Sequence, residues 1–285
     1  MNWMTDLYHK FLSRSIVERI IMLNVAIFIL TYLFNTFSFL FQIDGNFIVN
    51  WFSLQPDFEL LLFRPWTMIT YGFLHLGFFH ILFNMLVLYY FGNLFIDFFN
   101  SKQFLVYLLL GIISGGFIYM LSYNYLPGLK TQASLLVGAS AGVMAIVIGI
   151  SSHIPHYSLQ FRFIGNIKLL YIAVVLVVLD VVQIPSGNAG GHLAHLGGSL
   201  LGFVMTQYLN QGTGLIAWIT GTMTKKEKRP LKTVYKSPKK TTYHKKESKS
   251  EEQARIDSIL DKISKSGYDT LSKEEKDYLF KAGKK

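Results

Sequence analysis

Six apolar runs organise the first 210 residues, at about 18–40, 79–99, 103–123, 134–152, 168–184 and 192–209. A helix needs roughly 20 mostly apolar residues to cross about 30 Å of hydrocarbon, so each run predicts a membrane-spanning helix. The last two are short, which suits helices partly recessed within a small bundle. The first is too long for a secretory leader, and no small-x-small cleavage site follows it. The connections are brief except for 41–78, whose Trp51, Phe52, Leu60, Phe63 and Trp66 predict a segment lying in the membrane interface.

The pattern changes after about residue 224. Residues 225–249 are rich in Lys, Ser and Thr with two prolines, a composition that cannot build a core. From Glu251, Ile256, Ile259, Leu260 and Ile263 recur at helical spacing, and Gly267 would end that helix. Ser272 and Glu275 have capping-box spacing ahead of Tyr278 and Leu279. The expected organisation is a cytoplasmic N-terminal segment (1–17), a six-helix membrane domain (18–210), a basic linker (211–250) and a small helical module (251–285).

Composition agrees with a membrane protein. The 285 residues are 51% hydrophobic and only 15% charged, with a mean hydropathy of +0.35, whereas a soluble domain is about one quarter charged. The absence of cysteine excludes a disulfide scaffold, thiol catalysis and a Cys-ligated metal. The net charge of +10 belongs to the tail: residues 1–209 hold 8 Lys/Arg against 7 Asp/Glu, and the remainder holds 19 against 10. Nucleic-acid binding is therefore not expected of the chain. Attraction of the basic tail to anionic lipid headgroups, or a protein contact there, is.

Basic residues in short loops set the orientation. Lys10, Arg14 and Arg19, then Lys102, then Arg162 and Lys168, then the tail, all fall on one side. Both termini are thus expected in the cytoplasm, with 41–78 on the outer side.

Polar residues within membrane spans are costly and mark candidate chemistry. Span four opens with Gly138-Ala139-Ser140-Ala141-Gly142, and span six with His192-Leu193-Ala194-His195-Leu196-Gly197-Gly198, followed by Gly202. Span two opens with His80 and places Asn84 one turn later. Small residues alone mean helix packing, and Gly198 and Gly202 form a G-xxx-G ridge for close approach. Ser140 and His195, however, enter their spans from the same side and at similar depth. A serine needs a base within hydrogen-bond reach, and acyl transfer needs donors aimed at the oxyanion. His80 and Asn84 share one helix face and meet that need together with the Ser140 backbone N–H. No third acid is evident, since Asp180 reads as a structural acid near the outer end of span five. The economical reading is a Ser–His dyad.

These elements together resemble the rhomboid family of intramembrane serine proteases. The resemblance rests on Gly138-x-Ser140, Ala194-His195-x-Gly197-Gly198-xxx-Gly202, His80-xxx-Asn84, Phe73-Leu74-His75 and the long outer loop, and covers roughly residues 15–210. It implies an all-α six-helix rhomboid bundle, with Ser140 as nucleophile, His195 as general base and His80 and Asn84 as oxyanion donors. Transmembrane proteins would be its substrates, and it needs no cofactor and no metal. Three positions depart from the family pattern: Ala141 where Gly is frequent, Met144 where an aromatic is frequent, and Arg64-Pro65-Trp66 in place of a Trp-Arg pair.

The rival chemistries lack their residues. No histidine is followed by Glu, as H-E-x-x-H would require, and Asp180 is the one deep aspartate where an aspartyl protease needs two. The alternative from another class is a non-catalytic rhomboid-like binder of membrane segments. His75 and His192 are expected to serve mainly as structural hydrogen-bonding groups. A bacterial inner membrane is the expected location.

Overall fold

The computed structural model describes residues 3–43, 45–130, 134–162, 164–210 and 249–283. Most of the linker expected over 211–250 lies outside the described residues. The chain forms two units, 1–226 and 227–285.

In the first unit, α1 (Trp3–Ser13) leads into α2 (Ile16–Leu40). Ser15 opens α2 with a capping box: its Oγ accepts from the Glu18 N–H, and its own N–H donates to the Glu18 carboxylate. The outer connection holds three short helices, α3 (Phe47–Phe52), α4 (Phe58–Phe63) and α5 (Thr67–Thr70). Then come α6 (Phe78–Phe98), α7 (Ser101–Tyr125), α8 (Ser140–His153), α9 (Leu169–Gln183) and α10 (Ala189–Asn210). A second capping box, Asn100 with Gln103, starts α7.

Among the described residues, four helices are long and apolar enough to cross a membrane: α2, α6, α7, and α9 continued to Ser186. The other two expected spans differ in kind. α8 has 14 residues, about 21 Å of helix, and most of its residues are buried within the bundle. α10 is interrupted in its apolar pattern by glycines and two histidines. The run predicted from 134 becomes helical only at Ser140, because Gly138 takes a φ of +120° that a helix cannot contain. Residues ahead of it are extended, and Leu136 exchanges both backbone hydrogen bonds with Leu54 of the outer connection.

Packing on α2 is inverted relative to a helix of a soluble bundle. On α2 the buried positions are Val17, Asn24, Thr31 and Ser38, spaced seven apart, while Leu23, Ile29, Leu30 and Leu33 are exposed. Lipid solvates leucine as well as the interior does, so small and polar residues take the helix contacts. Asn24 and Thr31 each satisfy a polar atom on the carbonyl four residues back. At the end of α10 away from the histidines, Thr206 donates to the Gly149 carbonyl and meets the Tyr107 hydroxyl at 3.1 Å, tying α10 to α8 and α7.

Two features of the connections were not read from the sequence. The 153–168 connection folds as an antiparallel hairpin, β1 (Ser158–Phe161) with β2 (Gly165–Lys168). In the outer connection Arg64 stacks on Trp51 at 4.3 Å and donates to the Asn50 carbonyl, while the Trp66 indole donates to the Trp51 carbonyl. The Trp and Arg missing as a sequence pair are therefore paired in space.

The second unit contains α11 (Lys249–Ser266) and α12 (Lys273–Ala282). Gly267, at φ +82°, ends the first, and the Ser272–Glu275 capping box starts the second. Ile259 and Leu271 are buried between them.

Candidate active site

The site forms where α8 and α10 meet. Glycine makes that meeting possible: a Cβ added at Gly198 would collide with the Ala141 carbonyl, and one at Gly202 with the Ala145 carbonyl. On the third side, Gly115 of α7 has room for no side chain between Ala141 and the Ala194 carbonyl. Ser114 of α7 also donates its hydroxyl to the Gly197 carbonyl at 3.0 Å. The small residues flanking Ser140 and His195 thus bring their two backbones into contact. Ser140 is the first residue of α8 and is half-buried, as is His195 on α10.

His80, in the first turn of α6, closes another side. A Cβ at Gly138 would lie 2.7 Å from the His80 ring and 3.6 Å from Ser140 Oγ. The missing side chain at Gly138 therefore leaves room for the imidazole beside the serine, and His195 lies within electrostatic reach of that ring. Asn84 is buried, but its amide donates to the carbonyl of His80 at 2.8 Å. One of its two N–H donors is spent on its own helix and the other remains. The structure thus places His80 and Ser140 on either side of the space left at Gly138 and holds Asn84 one turn behind His80.

The approach to Ser140 is held from below. The Gly138 N–H donates to the Tyr71 carbonyl at 2.9 Å, and the buried Tyr71 hydroxyl donates to the Ile112 carbonyl of α7 at 2.6 Å. His75 is fully buried, accepts from the Ala139 N–H at 3.4 Å, and sets its ring edge to that of His80, with centroids 5.0 Å apart.

Burial, and then the neighbouring His80, push the His75 pKa down from 6.5 to about 4. The folded state therefore favours neutral His75. This contribution is complete above pH 6.5 and is lost as pH falls from 6.5 toward 4, a loss of about 3 kcal/mol. Thermal unfolding across that range should show a smaller acid loss in His75→Gln than in the wild type. Parallel curves would refute the assignment.

One residue adds to the two-group reading. Asp180 Oδ1 lies 2.8 Å from His195 Nδ1 and 2.9 Å from His192 Nδ1. An acid, read from the sequence as structural, thus reaches the expected base. A carboxylate within an apolar span was the one signal for it; its partner was not legible, because Asp180 is fifteen residues from His195, on a different helix and in no shared motif. Among the described residues, Asp180, His192 and His195 are also the group whose atoms lie close enough to share a metal ion. Here those atoms are joined to one another by hydrogen bonds. No hydrogen bond links Ser140 to His195 among the described residues; such contacts often tighten only around substrate.

Comparison with known proteins agrees with this architecture. Residues 63–212, more than half of the chain, match the rhomboid domain, and residues 244–285 match a family of unknown function (DUF6576). The chain is 26% identical over 212 residues to the RHOMBOID-like protein 12, mitochondrial, of Arabidopsis thaliana, covering 70% of this chain and 60% of that protein. It is 28% identical over 181 residues to the presenilin-associated rhomboid-like protein, mitochondrial, of Mus musculus, covering 59% and 43%. For its Homo sapiens counterpart the identity is 28% over 173 residues, covering 56% and 41%. The chain thus spans about 60% or less of these relatives' length. Their names are mitochondrial, so they lend no support to the expected bacterial inner membrane. A rhomboid domain matched over more than half of the chain, carried by helices long and apolar enough to cross a membrane, makes this chain an integral membrane protein of the rhomboid family.

Proposed function

We propose that the protein is an intramembrane serine endopeptidase that cuts transmembrane segments of other membrane proteins. The observation that carries this reading is the contact of Gly198 with the Ala141 carbonyl, which brings the turn holding Ser140 against the turn holding His195. Family membership supports the same chemistry.

In this reading His195 Nε2 takes the Ser140 proton as Oγ attacks the scissile carbonyl carbon. The oxyanion meets the Ser140 N–H, which has no intrahelical acceptor at the start of α8, together with the positive end of that helix. His80 and the second Asn84 N–H add donors from α6. The imidazolium returns its proton to the leaving amine. Water, deprotonated by His195, then hydrolyses the acyl-enzyme. Substrate would arrive sideways from the bilayer, past α6 and α9.

The test is to reconstitute the full chain in liposomes with a model transmembrane substrate and, in parallel, a fluorophosphonate probe. Cleavage within the membrane segment and probe mass on the peptide containing Ser140 are expected. A folded protein that neither cleaves nor takes the probe would favour the non-catalytic binder of membrane segments.

A further inference from the structure

We infer that Asp180 is a positioning residue that sets the tautomer of His195, with His192 holding the same carboxylate in place; this rests on the protease reading above. Asp180 is 6% exposed on an otherwise apolar α9. A carboxylate there is costly unless it is paired, and its Oδ1 receives the Nδ1 atoms of both histidines, at 2.8 and 2.9 Å. An ionised carboxylate only accepts, so each Nδ1 carries the hydrogen. A neutral imidazole has one N–H, and the lone pair of both rings therefore sits on Nε2. In His195 that nitrogen is the one required as base toward Ser140.

The sharing of one oxygen adds a second property. His192 and His195 are three apart on α10, so both rings project from one face and reach Oδ1 from different directions. Two donors on one oxygen restrain the carboxylate against rotating away. When His195 accepts the Ser140 proton, its Nδ1–H stays where it is. Asp180 remains ionised beside the new imidazolium, and no proton passes to it. His192 does not touch the reacting atoms and acts only through Asp180.

The test uses the full-length protein in nanodiscs with 15N-labelled histidine, the His195 signals being assigned by their disappearance in His195→Gln. The wild type is expected to show His195 as the Nδ1–H tautomer. In Asp180→Asn and Asp180→Ala that signature should change or become mixed, with kcat for the model substrate falling roughly 10- to 100-fold at nearly constant KM. Asp180→Glu should restore part of kcat, and His192→Ala should lower it less than Asp180→Asn does. Retention of the Nδ1–H tautomer with kcat within twofold in both Asn and Ala variants would overturn the inference. So would an equal fall in kcat in all Asp180 variants, Glu included, that tracks only a lower melting temperature. The ring signals are read without activity, so a wild type that shows the tautomer but never cleaves would refute the protease reading and leave the positioning geometry standing.

Discussion

Replacement of Ser140 by alanine is expected to lower cleavage at least about 10⁴-fold, and His195→Ala should do nearly the same. The two residues act as one unit: the hydroxyl is a poor nucleophile without the base, and the base has nothing to deprotonate without the hydroxyl. The double variant should therefore be no slower than either single one. Both side chains are half-buried at the α8–α10 contact and neither is among the packed core residues; melting temperature should hardly change in Ser140→Ala and should fall more in His195→Ala, which leaves Asp180 only His192 as a partner. Initial rates on the reconstituted substrate, measured beside thermal unfolding, separate loss of chemistry from loss of fold. Additive effects, or a His195→Ala protein that still cleaves at a tenth of the wild-type rate, would rule out a common Ser–His step.

The second large effect is steric and comes from a residue with no chemistry. Gly198→Val should lower the rate of Ser140 labelling at least about 100-fold and destabilise the protein by about 3 kcal/mol or more. Any Cβ at this position collides with the Ala141 carbonyl, and backbone cannot be moved aside as a flexible side-chain tip can. α10 must then back away from α8, carrying His195 from Ser140. Gly128→Ala is the control, since a Cβ there would meet nothing within 4 Å. Labelling and thermal unfolding of the two variants should diverge sharply. Near-wild-type labelling in Gly198→Val would mean that close helix approach does not position the site.

Gly198 also shows which kinds of information a sequence carries. Its spacing from Gly202 announces close helix contact to any reader, because a small-residue ridge has that one use in a membrane. The neighbour that it contacts is not announced. In the same way, Ser140, His195 and His80 were legible as polar groups inside apolar runs, whereas the turn of the Asn84 amide onto the His80 carbonyl was not. Hydropathy placed α2, α6, α7 and α9 because length and apolarity are local properties. It placed the start of α8 too early because Leu136 is as apolar in an extended segment as it would be in a helix. What keeps Leu136 out of the helix is the Gly138 conformation and the Leu54 pairing.

By itself, the sequence determined that this chain crosses a membrane, that its net charge sits in its tail, and that serine and histidine occur within apolar runs. Each follows from residue type and spacing along a single segment. Only the tertiary structure decided that Asp180 reaches His195, that His192 shares that carboxylate, that His75 supports His80, and that Arg64 finds Trp51. Those contacts join residues on different segments or far apart along one connection. Nothing in the local pattern of either partner requires them; each contact exists only once the segments that carry its two partners have packed.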